Sequence, residues 1–64
     1  MRLWIARESD NLDLYAYDTE PWYNEDYGGW MSNGNCYVLD LMLFPEVTFE
    51  NSPQRVELKL VKED

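Results

Sequence analysis

The sequence predicts a mainly β domain: a small antiparallel sheet of four to five strands, curled or half-barrelled in one form. Three observations predict it. Apolar and polar residues alternate with a period of two at both ends of the chain. Turn residues recur at short, regular intervals. No segment carries a convincing helical period. Sixty-four residues make one domain spanning 1–64. A chain this short buries only about 60% of its unfolded surface, so stability is marginal.

Arg2 to Arg7 alternates, with Leu3 and Ile5 on one face and Trp4 and Ala6 on the other. Two apolar faces predict a central strand, or one with an end under a loop. Ser9-Asp10-Asn11 is turn chemistry, because Asp and Asn bond nearby backbone and tolerate left-handed φ. Leu12, Leu14 and Ala16 then alternate with Asp13, Tyr15 and Tyr17, a half-buried strand. The two runs predict a hairpin.

Asp18 to Gly29 reads as a long loop with aromatic anchors, broken by Pro21, Asn24-Glu25-Asp26 and Gly28-Gly29. A second hairpin is predicted from Trp30-Met31 to Cys36-Tyr37-Val38-Leu39, turning at Ser32-Asn33-Gly34-Asn35. Asn-Gly is a strong hairpin signal, since a type I′ turn needs positive φ at both central residues. Leu41 to Phe44 predicts a single helical or 3₁₀ turn, because Pro45 bars helical φ/ψ at Phe44. Pro45 to Phe49 reads as extended, and Asn51-Ser52-Pro53 as a turn. In the last strand Val56, Leu58 and Leu60 face the core, and Arg55, Glu57, Lys59 and Val61 face out.

Charge is strongly partitioned. From Glu8 to Gln54 there is no Lys, Arg or His, and the net charge of the chain is −8. That stretch holds Glu8, Asp10, Asp13, Asp18, Glu20, Glu25, Asp26, Asp40, Glu46 and Glu50. The cations are Arg2, Arg7, Arg55, Lys59 and Lys62. Acidic disordered chains are poor in aromatics. Here three Trp, five Tyr and two Phe point to a folded domain with a charged surface.

Composition also narrows the chemistry. One cysteine, Cys36, rules out an internal disulfide, and the lack of histidine removes a zinc site and a Ser-His or Cys-His pair. Cys36 has no cation beside it in sequence to stabilise a thiolate, and reads as a small apolar filler. The acidic turns do not match the calcium-loop pattern, so neither metal nor cofactor is expected. A hydrolase built on two carboxylates is a distant third reading, because a sheet this small rarely houses a sugar-gripping cleft. No enzyme is expected. No apolar run approaches the roughly 20 residues that span a bilayer. The N-terminal apolar run is short for a signal peptide, and the lone cysteine fits a reducing compartment, so a cytoplasmic location is expected.

Partners follow from sign. Phosphate contacts need clustered cations, so direct nucleic-acid binding and an anionic membrane surface are both disfavoured. A protein partner is expected, with self-association a further way to add burial. The candidate surface is the aromatic loop: Trp22, Tyr23, Tyr27 and Trp30, with Glu20, Glu25 and Asp26 among them. Trp and Tyr are favoured interface anchors. The same rings could instead form the lid of the core, which a small domain needs; a mixture of the two also fits. The alternative function is an acidic nucleic-acid mimic that inhibits a basic DNA- or RNA-binding protein.

The two ends also show a resemblance. Leu3-Trp4-Ile5-Ala6-Arg7, with the acidic turn and Leu12-Asp13-Leu14-Tyr15, resembles the start of small uncharacterised proteins of gut anaerobes and their phages. Leu43 to Pro53, followed by Val56-Glu57-Leu58, is similar to the ending of that group. The middle, Glu20 to Cys36, matches only loosely. The resemblance carries over no activity, cofactor or site residue. It implies a host-directed or accessory role in a phage or mobile-element setting.

Overall fold

The computed structural model describes residues 2–57. Six strands follow in order: β1 (Arg2–Arg7), β2 (Leu14–Tyr17), β3 (Trp22–Asn24), β4 (Gly29–Met31), β5 (Cys36–Leu39) and β6 (Gln54–Glu57). A four-stranded antiparallel sheet has the order β5-β2-β1-β6, and β3 and β4 form a separate two-stranded sheet. The larger sheet is open. Among the described residues there is no helix, and so none long and apolar enough to cross a membrane.

β1 is central and forms a hairpin with β2, as its alternation predicts. The register sets Ile5 opposite Ala16 and Arg7 opposite Leu14. On the other side Leu3 faces Val56 and Ile5 faces Gln54. Cross-strand partners share a face, so Leu3, Ile5, Arg7, Leu14, Ala16, Leu39 and Val56 all lie on one side. Ile5, Leu14, Ala16 and Val47 form the buried core, with Leu3, Leu39, Phe44 and Val56 packed against it. Ala6 and Tyr17, on the opposite face, are also buried. In β6 Val56 is half-buried and Arg55 and Glu57 are exposed, as expected. Leu58 to Val61 lie outside the described residues.

Four local expectations are corrected. The hairpin from Trp30 to Leu39 does not form: β4 pairs with β3, and β5 crosses to pair with β2. The Asp18 carboxylate decides this. It accepts from the Asn35 backbone N–H at 2.8 Å and from Asn35 Nδ2 at 3.0 Å, and the Asp18 N–H donates to the Asn35 carbonyl. Those bonds hand the chain to the edge of β2. Gly34 leaves room for that carboxylate, which a Cβ at this position would overlap.

The segment from Asp18 to Gly29 is not a plain loop, since it contains β3 and the turn into β4. Its turn closes because Gly28 adopts φ 83°, a conformation open to glycine. Gly28 N–H donates to the Asn24 carbonyl at 2.7 Å, and Asn24 Oδ1 accepts from Tyr27 N–H at 2.9 Å.

Leu41 to Phe44 forms no helix but a hydrogen-bonded turn, with Leu43 N–H donating to the Asp40 carbonyl at 3.0 Å. Asp40 Oδ1 takes the Met42 N–H at 2.8 Å, an Asx-type closure that competes with helix. Phe44 sits at φ 49°. Pro45 and Glu46 likewise form a turn, with Val47 N–H donating to the Phe44 carbonyl at 2.9 Å, and Pro45 to Phe49 contains no strand. The peptide bond from Ser52 to Pro53 is cis.

Candidate functional site

The β3–β4 hairpin sorts its aromatics by strand alternation. Tyr23 pairs with Trp30, and Trp22 with Met31. Side chains of successive strand residues point to opposite faces. Tyr23 and Trp30 therefore share one face and Trp22 and Met31 the other. Tyr23, Trp30 and Phe49 meet edge to face, with ring centroids 5.6, 5.1 and 6.2 Å apart. Such tilted pairs set the positive ring edge against a negative ring face. Trp30 Nε1 donates to the Arg7 carbonyl oxygen at 2.9 Å, which pins the hairpin to the end of β1.

The outward set differs. Trp22 is 45% exposed and Tyr27, in the turn, 73% exposed. Glu20, Glu25 and Asp26 are exposed as well. Of the seven candidate residues, Trp22, Tyr27 and the three carboxylates thus belong to the surface, while Tyr23 and Trp30 serve the packing beneath it. The separation was hidden in sequence because a loop has no period to sort its rings.

Glu8 lies behind this hairpin. Its carboxylate accepts from the Trp30 backbone N–H, while its Oε1 is buried with no hydrogen-bond partner. Loss of solvent is the largest influence and raises its pKa; the Trp30 bond opposes this, and the nearby charges of Asp10 and Asp13 add to the rise. The other nine carboxylates of the cation-free stretch are exposed.

Cys36 is a correction. It is exposed rather than a buried filler, because β5 is an edge strand. Its thiol is raised above the ordinary range, first by the partial loss of solvent, with the Glu8 charge adding and a Tyr17 hydrogen bond opposing. At neutral pH it is a thiol and not a nucleophilic thiolate. Among the described residues no three Asp, Glu, Cys or His groups converge as metal ligands.

No protein-family model, curated protein or solved structure matches this chain.

Two features escaped the sequence reading. Arg7 is only 4% exposed, a burial that its place among the cations does not foretell. Its signal was the period of two that places it on the same face as Leu3 and Ile5. The second is a concentration of exposed apolar side chains on β5 and the turn after it: Tyr37, Val38, Leu41, Met42 and Leu43. Its signal was charge, since Met31 to Pro45 contains only Asp40.

Proposed function

We propose that this chain is a non-enzymatic binding module that acts through protein contacts, with Trp22 and Tyr27 as anchors and Glu20, Glu25 and Asp26 as the charged rim. The observation that carries this reading is the sorting on the β3–β4 hairpin. The packing keeps Tyr23 and Trp30 and leaves Trp22 and Tyr27 in solvent beside carboxylates. Two projecting rings supply rigid contact area at little entropic cost. The matching surface has apolar pockets flanked by Arg or Lys. The resemblance of both chain ends to proteins of gut anaerobes and their phages supports an accessory role in such a setting.

A second reading, the acidic nucleic-acid mimic, is favoured by the charge distribution. Nine of the ten carboxylates between Glu8 and Gln54 are exposed, and Arg7 is withdrawn from the surface. Such a surface accelerates association with a basic partner and makes it salt-sensitive.

Affinity capture from host lysate, with mass spectrometry, tests both. Recovery of one protein, lost with Trp22→Ala while the thermal midpoint holds, supports the hairpin as the binding surface. Capture unchanged by Trp22→Ala and Tyr27→Ala counts against it. A basic nucleic-acid-binding protein released by salt selects the mimic; exclusively neutral or acidic partners exclude it.

A further inference from the structure

The two edges of the four-stranded sheet are built differently. β6 follows Pro53 and carries Gln54, Arg55 and Glu57. Charges and proline are the usual guards against edge-to-edge pairing. β5, the opposite edge, reads Cys36-Tyr37-Val38-Leu39 and has neither. Its register with β2 sets Tyr37 opposite Ala16 and Val38 opposite Tyr15, so these two residues lie on opposite faces. Both remain open, Tyr37 at 51% and Val38 at 79% exposure. Half of the peptide groups of an antiparallel edge strand point away from its neighbour, unpaired.

The apolar surface continues past the strand. Leu12 and Leu41 come together because both carbonyls accept from Arg7 Nη1, at 2.9 and 2.8 Å. Leu12, Leu41, Met42 and Pro45 help to line an open cleft of about 350 Å³. Met42 is 76% exposed. The exposed side chains on β5, the following turn and Leu12 amount to roughly several hundred Å², divided between the two faces of the strand. A standard interface buries about 800 Å² per partner, which the strand backbone would help to complete.

We infer that β5 is a self-association edge, and that its occupant is the β5 strand of a second copy of this chain. Antiparallel pairing about a two-fold axis joins two four-stranded sheets into one of eight strands. The unpaired peptide groups of each β5 then bond each other, and Tyr37 and Val38 gain cross-strand neighbours on both faces. An unguarded antiparallel edge is complementary to itself about a two-fold axis, which selects this occupant, and charge selects this place. Two chains of net charge −8 repel, and Met31 to Pro45, with Asp40 as its single charge, is where they can meet at least cost. The edge belongs to the four-stranded sheet, and Trp22 and Tyr27 to the β3–β4 hairpin.

Sedimentation equilibrium of the full chain over a range of concentrations tests this. The expected result is a monomer–dimer equilibrium that strengthens with added salt, because screening removes like-charge repulsion. That salt dependence is opposite to the one expected for an acidic mimic on a basic partner. Val38→Lys should weaken the dimer at least tenfold with an unchanged circular dichroism spectrum, and Trp22→Ala should leave it intact. Amide hydrogen exchange of the unaltered chain gives a reading that needs no variant: protection of Cys36 to Leu39 should rise with concentration. A chain monomeric at every concentration overturns the inference. So does a dimer that Trp22→Ala abolishes and Val38→Lys does not.

Discussion

The Nε of Arg7 donates to the carbonyl oxygen of Val47 at 2.8 Å, joining the end of the central strand to the loop that closes the core. Nη1 donates to Leu12 and Leu41, and Nη2 to Leu43 at 3.1 Å and Phe44 at 2.9 Å. All five guanidinium donors are therefore used on backbone carbonyls. A buried charge is costly unless hydrogen-bonded, and here the partners are the oxygens of turns that lack helix or sheet partners of their own. The main chain of Arg7 adds two more ties, its N–H donating to Ser52 Oγ and its carbonyl accepting from Trp30.

Arg7→Lys should therefore not be conservative. Lysine has three donors on one nitrogen and cannot serve five carbonyls spread over a planar fork. The Val47 carbonyl is a buried acceptor that costs about 1–3 kcal/mol when left bare, and the other four, partly buried, add less each. A loss of at least about 3 kcal/mol is expected in urea titration, a large part of the stability of so small a domain. Arg7→Met should be worse, leaving the chain largely unfolded by near-ultraviolet circular dichroism. Little change in either variant would mean that the 41–47 turns stand without Arg7.

Trp30 and Trp22 should part company. Trp30→Ala removes the aromatic trio and the bond to Arg7, at a cost of about 3 kcal/mol. Trp22→Ala removes a ring already half in water and should cost less than about 1 kcal/mol. Comparison of their denaturation midpoints checks the sorting on the hairpin directly.

Gly34→Ala and Asp18→Ala should each lower stability by about 1–2 kcal/mol, through the same lost pair of Asn35 bonds. Because the methyl acts by displacing the carboxylate, the double variant should cost little more than either single one. Additive losses in the double-mutant cycle would show that the two sites act separately.

Glu8 gives a pH-dependent prediction. Its pKa is raised in the fold, so the native state holds the proton more tightly than the unfolded chain. The ionised form is thus a cost, present in full above the native pKa and relieved as pH falls toward the ordinary carboxylate value. Glu8→Gln should raise the thermal midpoint at neutral pH, and the gain should vanish on acidification below that value. A lower midpoint at neutral pH would mean that the Trp30 N–H bond to the carboxylate outweighs its desolvation.

Much of this was legible in the residues. The period of two at Arg2–Arg7 and Leu12–Tyr17 marks β1 and β2, and two apolar faces mark β1 as central. The aromatic segment was legible as a surface candidate but not in its division, because Trp22 and Tyr23 are equivalent until a partner strand places them on opposite faces. The Asn33-Gly34 signal misled, because local turn propensity competes with long-range bonds, and the Asp18 carboxylate prevails by binding Asn35 twice. The apolar, nearly uncharged run from Met31 to Pro45 was visible, but its exposure depends on β5 being at an edge.

By itself, then, the sequence determined the β class, the central strand and the acidic character, all of which follow from local alternation and composition. Only the tertiary structure decided which strands pair, which rings reach solvent, and that Arg7 is an interior hub and not a surface charge. Those outcomes depend on contacts between residues far apart in the chain: Arg7 with Leu41 to Val47, Asp18 with Asn35, Trp30 with the end of β1. No local pattern encodes such contacts, because backbone carbonyls are present at every residue and become distinctive only when the fold gathers five of them around one guanidinium.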